Sequence, residues 1–321
     1  MIDGDDSMHL KPARTAATAA AIGGVLVLGL GSAQAAMANP VSIYHVPCNA
    51  GALAYDLSHV SSGGTLFLTA GCTYYLPDGL TDNVDTLTIV GYSTTLRGGG
   101  PDSDYSILTV NCMKTLTLDG VNFTEGSQED GGAIDNGGHL TVNGGTFSRN
   151  SAEYGGAIES DGNTSTLAIN DATFTGNDGE YGGAIYSDDD TAILTGDHFS
   201  QNKGEDGGAL YAEDNVTVAD STFLGNTAED GGAIINYEDL SLTNVTDVPG
   251  SGNTFTGNQA TLGGAIYNGD WVGVGPSLIA FNAAHHLGGG IYNACSTTWD
   301  LSGSTIYGNV TDNFYYAGSC P

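Results

Sequence analysis

Phe174-Thr175-Gly176-Asn177-Asp178-Gly179-Glu180-Tyr181-Gly182-Gly183-Ala184-Ile185 is the stretch that decides the fold. Its last four residues recur. Gly-Gly-Ala-Ile, or a one-residue variant, starts at Gly131, Gly155, Gly182, Gly207, Gly231, Gly263 and Gly288, in steps of 24, 27, 25, 24, 32 and 25 residues. The opening Phe-x-x-Asn rides on the same period: Phe147/Asn150, Phe174/Asn177, Phe199/Asn202, Phe223/Asn226 and Phe255/Asn258, with Ile279/Asn282 and Ile306/Asn309 continuing it. From each of these Phe, and from a degenerate copy at Phe123, the next Gly-Gly lies eight residues on. A fixed period of this size means stacked near-identical units.

Between the two motifs lies a short alternating run: Leu140/Val142, Leu167/Ile169, Val216/Val218 and Leu240/Leu242. Alternation over so few residues reads as a strand. Glycine density and the Thr, Val and Ile content exclude helices inside the repeats. About three short strands per period fit one coil of an all-β, single-stranded, right-handed parallel β-helix, with coils stacked ~4.8 Å apart. Equivalent residues then form columns. Ile134, Ile158 and Ile185 should stack inward, as should the Phe column. The Gly pair suits a corner needing positive φ or close approach. The Asn can hydrogen-bond along a stack of like amides.

The paired motifs resemble the repeat of the chlamydial polymorphic outer-membrane protein family, over roughly Phe123 to Asn309. That resemblance implies a surface-exposed or secreted β-helix associated with adhesion. Leu66 to Thr117 looks like the first, irregular coils of pectate-lyase-like β-helices. Members of the family end in a long membrane β-barrel, and the twelve residues after Asn309 are too few for one.

The expected organisation is a secretory signal peptide over residues 1–38, a cap over 39–64 and the β-helix over 65–321, with a C-terminal cap at 310–321. Lys11 and Arg14 precede the apolar stretch Ala16 to Leu30, and Ala33-Gln34-Ala35 and Ala36-Met37-Ala38 offer cleavage sites. Met8 is an alternative start, because Asp3, Asp5 and Asp6 are unusual ahead of such a segment. No later stretch is apolar enough to anchor the chain.

Six Lys+Arg against 37 Asp+Glu give a net charge of -31. Nucleic acid is excluded as a direct partner, since that affinity rests on neutralising phosphates. Leu53, Leu57 and Val60 fall at helical spacing, which predicts an amphipathic capping helix pinned by a Cys48–Cys72 disulfide. Cys295 and Cys320 offer a second staple. Cys112 is left over and reads as a buried free thiol.

Two columns flank the tetrapeptide. Two places before Gly-Gly stand Glu129, Glu153, Glu180, Glu205 and Glu229, then Thr261 and His286; one place before stand Asp130, Tyr154, Tyr181, Asp206 and Asp230. Stacked carboxylates repel by roughly 0.8 kcal/mol per pair in water at ~5 Å. Either this is an exposed acidic rib that blocks aggregation, or the five Glu with Asp206 and Asp230 hold Ca²⁺ between coils. No other cofactor is implied.

The residue after the Ile should point outward: Asp135, Glu159, Tyr186, Tyr211, Ile235, Tyr267 and Tyr292. Tyr186, Tyr211, Tyr267 and Tyr292 could form a platform for sugar rings, flanked by the solvated turns Asp188-Asp189-Asp190 and Glu238-Asp239. The long repeat carries an insertion near Val245 to Asn253. His285-His286 diverge and make a poor metal pair.

A polysaccharide lyase or glycoside hydrolase is the competing reading. A lyase needs a basic residue, and past the signal segment only Arg97, Lys114, Arg149 and Lys203 remain. Neither Arg149 nor Lys203 has a distinctive sequence neighbourhood, and the carboxylates recur instead of clustering once. The sequence therefore reads as a monomeric, non-catalytic, adhesin-like β-helix binding an extracellular glycan or a host or surface protein.

Overall fold

A computed structural model describes residues 42–101, 103–162, 164–189, 192–245, 251–294 and 299–318. All lie in one compact unit, Pro40–Pro321. Residues 1–38, expected as a signal peptide, together with Cys295, Cys320, Asp190 and the centre of the 245–253 insertion, fall outside the described residues.

The chain winds as a single right-handed parallel β-helix, as the period predicts. The Gly-Gly-Ala-Ile strands form one wall of ten parallel strands in sequence order, from Leu80–Asp82 to Phe314–Tyr316. The Leu-x-Val strands and the Phe strands make the other two walls. The long strands Thr86–Arg97 and Thr115–Thr124 run through both and join them into one nineteen-stranded sheet.

Register is kept by side-chain columns. Phe123, Phe147, Phe174, Phe199, Phe223 and Phe255 are fully buried and stack with centroids 5.0, 4.7, 4.8, 4.7 and 4.6 Å apart. That is the coil spacing itself, so the ring stack and the backbone ladder favour the same rise. Each buried Phe contributes roughly 1.5–3 kcal/mol of transfer free energy. A one-residue slip would turn the rings outward.

The two glycines of the corner do different work. Gly182 sits at φ +73, which a β-carbon disfavours. For Gly183 the constraint is space: a β-carbon would lie 2.3 Å from the Gly208 carbonyl oxygen of the next coil. Their amides continue the ladder, Gly182 donating to the Asp206 carbonyl and Gly183 to that of Gly207, both at 2.9 Å.

The Asn of Phe-x-x-Asn closes the next corner. Asn150, Asn177, Asn202, Asn226, Asn258, Asn282 and Asn309 form a continuous ladder. From Asn177 onward each Oδ1 accepts from both the backbone N–H and the Nδ2 of the Asn one coil earlier, as Asn177 does from Asn150 at 3.0 and 3.1 Å. Each Nδ2 also donates to a carbonyl of the preceding coil, as Asn177 does to Phe147 at 3.0 Å and Asn309 to Ile279 at 2.9 Å.

A second Asn column lacks such partners. Asn236 and Asn268 are fully buried on the inner face of the Gly-Gly-Ala-Ile wall, and their side-chain amides meet no hydrogen-bond partner among the described residues. One coil earlier the same position is Ala212, also fully buried. Replacing Asn236 with Ala should therefore cost less than about 1 kcal/mol, or stabilise, because it removes a buried polar group that makes no bond. Denaturant titration checks this; a loss above ~2 kcal/mol would show that the amide is bonded in solution.

At the N-terminal end, strand Ile43–Val46 pairs with Gly64–Leu68. The expected cap helix, α1 (Ala50–His59), lies over the first coil with Leu53 and Leu57 buried. Asn49 starts it by accepting from the Ala52 N–H at 3.0 Å. Cys48 and Cys72 form the expected disulfide, Cα atoms 5.7 Å apart. Cys112, however, is exposed. It occupies a turn closed by the Lys114 N–H on the Asn111 carbonyl at 3.0 Å, which directs its side chain away from the bore.

Candidate functional site

The residue after the Ile does point outward, but onto a concave corner, not a flat face. The left-handed glycine folds the column before Gly-Gly against the column after the Ile. Tyr154 meets Tyr186 edge-on at 5.2 Å and 76°, and Tyr181 meets Tyr211 at 5.4 Å and 77°. Within columns the rings stack: Tyr154 on Tyr181 and Tyr186 on Tyr211, both at 5.3 Å, and Tyr267 on Tyr292 at 5.0 Å.

The four tyrosines expected from the sequence are thus part of a longer row. Where the column carries buried Ile235, Tyr237 fills in from two residues further along, 5.6 Å from Tyr211 and 6.4 Å from Tyr267. Tyr315 extends the far end at 5.5 Å from Tyr292. Eight tyrosines, Tyr154, Tyr181, Tyr186, Tyr211, Tyr237, Tyr267, Tyr292 and Tyr315, run in contact along one ledge. The visible signal for Tyr154 and Tyr181 was their place before Gly-Gly. For Tyr237 and Tyr315 no periodic signal existed.

Stacked rings cover one another's faces, so the ledge offers ring edges and hydroxyl tips. The sugar-platform expectation needs open faces and loses its main support. Burial raises the pKa of Tyr186, Tyr211, Tyr237 and Tyr292, and that of Tyr267 to about 12. These phenols remain protonated donors. Tyr211 donates to Glu213 at 2.9 Å.

Carboxyl groups line the same corner. Asp135 and Glu159 lie side by side on neighbouring coils. Glu159 is almost fully buried; burial first, then the charge of Asp135, pushes it up to about 8, so one proton is held between two carboxyls at neutral pH. Asp206 is pushed up to about 6 by burial and by Asp230, and burial also raises Asp230.

The Glu column behaves differently. Glu129, Glu153, Glu180, Glu205 and Glu229 are all exposed. Among the described residues no three His, Cys, Asp or Glu side chains converge closely enough to hold a metal ion. A Ca²⁺ on this rib would have to gather glutamates from neighbouring coils. His285 and His286 are exposed. Asp188, Glu238 and Asp239 are exposed turn residues as expected, but Asp189 is not. It is 1% exposed and accepts from the Ser165 and Ser187 hydroxyls, with burial pushing it up to about 6. It closes its turn from inside.

Residues 220–236 and 254–269 match the model of the Chlamydia polymorphic membrane protein repeat. Two of the coils thus resemble that repeat. The first match spans the Phe223/Asn226 corner through Gly231-Gly232-Ala233-Ile234, and the second spans Phe255/Asn258 through Gly263-Gly264-Ala265-Ile266. The repeat pattern continues on both sides in the same register. No curated protein and no solved structure matches the chain. The repeat motif residues build the core and corners, so the variable ledge beside them is the candidate site. No helix among the described residues is long and apolar enough to cross a membrane, which leaves β-barrel spans untouched.

Proposed function

We propose that this protein is a non-catalytic, adhesin-like β-helix of the cell surface or outer membrane that holds an extracellular protein partner along the tyrosine ledge. The repeat's own description as a membrane-protein repeat supports the location. The continuous row of eight tyrosines interleaved with carboxyls carries the binding reading. Aromatic edges and hydroxyls beside acids suit basic and hydrogen-bonding side chains. Net charge favours the same class of partner and speeds its encounter. Neutral glycan is the lesser reading, because the ring faces are covered.

Immobilised protein probed with basic peptides, acidic peptides and neutral oligosaccharides tests this. Basic peptides should bind, more weakly as salt rises. The double substitution Tyr237→Ala with Tyr267→Ala should weaken them at least tenfold. No binding by any basic member, or an unaffected double variant, overturns the ledge. New reducing or unsaturated ends on any glycan would replace binding by catalysis.

A further inference from the structure

Arg149 has no distinctive neighbourhood along the chain, but it has one in space. Four cationic side chains are described: Arg97, Lys114, Arg149 and Lys203. Lys114 pairs singly with Asp85 at 2.7 Å and Lys203 with Asp178 at 3.8 Å. The two arginines converge from different coils on one carboxylate. Arg97 Nη2 contacts Glu125 Oε2, and Arg149 Nη2 lies 3.6 Å from Glu125 Oε1. Arg149 Nη2 also donates to the Thr124 hydroxyl at 3.4 Å. The Arg97 guanidinium sits over the ring of Tyr75, 5.4 Å from its centroid.

Two guanidiniums on one carboxylate leave a local excess of one positive charge in a strongly acidic protein. They border an open groove of about 430 Å³ on the Phe wall, lined also by the hydroxyls of Thr73, Thr95, Thr146 and Ser148. A second hollow of about 210 Å³ continues past Arg149 to Ser127 and Ser151. Arg149 and Glu125 stand at φ 54 and 59, as Gln201 and Phe281 do at 56 and 59, where the other equivalent corners carry Gly176, Gly225, Gly257 and Gly308. A non-glycine residue there costs roughly 1–2 kcal/mol.

We propose that this groove binds an acidic glycan, with Arg149 and Arg97 pairing its carboxylate or sulfate groups, Tyr75 flanking a sugar ring and the Thr/Ser rows meeting its hydroxyls. Arginine's planar fork matches both oxyanions. The protein's remaining acids are screened beyond ~8 Å at physiological salt, so the local charge governs contact. The groove lies on a different wall from the ledge and does not depend on it.

Titration with oligogalacturonate, a sulfated oligosaccharide and a neutral oligosaccharide in 0.15 M salt tests it. One or both acidic oligomers should bind, and the neutral one should not; which of the two binds identifies the oxyanion. Arg149→Gln and Tyr75→Ala should each weaken binding at least tenfold without moving the melting temperature, since both side chains are largely exposed. The double ledge variant should bind as the parent does. Neither acidic oligomer binding, both variants binding like the parent, or an acidic peptide binding equally well would overturn the proposal.

Discussion

Asn226→Ala is expected to destabilise the protein by roughly 2–6 kcal/mol. The side chain is fully buried at the centre of the Asn ladder. Its Oδ1 accepts from the Asn202 backbone N–H and Nδ2, both at 3.0 Å. Its Nδ2 donates to the Phe199 carbonyl at 3.1 Å and to Asn258 Oδ1 at 3.0 Å. Truncation strands the Asn202 N–H and the Phe199 carbonyl, each at about 1–3 kcal/mol, while Asn202 Nδ2 keeps its bond to Phe174 and Asn258 Oδ1 keeps the Asn226 N–H. The sum is a large share of the stability of an ordinary domain, ~5–15 kcal/mol. Because coils contact only their neighbours, the damage should centre on the coils bearing Asn202 and Asn258. Denaturant unfolding gives the size and hydrogen exchange the location. Asn226→Asp separates donor from acceptor: it keeps the acceptor and loses the donor, so it should fail at neutral pH and recover partly in acid. A loss below ~1 kcal/mol for Asn226→Ala would refute the ladder as the corner's main tie. The contrast with Asn236 is deliberate: same residue type, same burial, opposite expected outcome.

Mild acid should stabilise this protein. Burial and neighbouring acids push Glu159 up to about 8, Asp197 up to about 7, and Asp189 and Asp206 up to about 6. Asp197 is held inside the chain by the Ala172 N–H on Oδ1 at 2.8 Å, while its own N–H donates to Ser221 Oγ at 3.0 Å. All four values are raised. Between about pH 4 and 8 the folded chain thus binds more protons than the unfolded chain, whose carboxyls titrate near 4. Stability from these groups is fully present below the unfolded values and lost as pH rises through the folded ones. Glu159 and Asp197 are nearly inaccessible, and each is worth on the order of 3–5 kcal/mol across that window. Self-repulsion among the excess acids acts in the same direction. The melting temperature should climb as pH falls from 8 to 5, and Glu159→Gln with Asp197→Asn should flatten the climb. A melting temperature that is level or falls over that range would contradict it.

The helix, its three strands per coil, the inward Ile and Phe columns, the Asn ladder and the Cys48–Cys72 cap were all legible from the sequence. Parallel stacking in register makes residues one period apart into neighbours in space. Phe174 and Phe199 are 25 residues apart in the chain and 4.8 Å apart between ring centroids. Period and contact are the same information for these columns.

Contacts between columns are a different matter, because they depend on corner angles that no period records. Gly182 and its equivalents fold Tyr154 onto Tyr186, and Tyr237 reaches the row from a position off the column. The same folding buries Glu159, and at the far end of that wall Asp189 turns inward onto Ser165 and Ser187; the chain presents both as ordinary acids near turns. Glu125 shares Arg149's place after its Phe, one period earlier, but Arg97 stands ahead of the first motif copy, so no period aligned it with them. Sequence alone determined what stacks along the axis, since that follows from repetition. The tertiary structure decided what meets around it, since that follows from how each left-handed corner turns the chain.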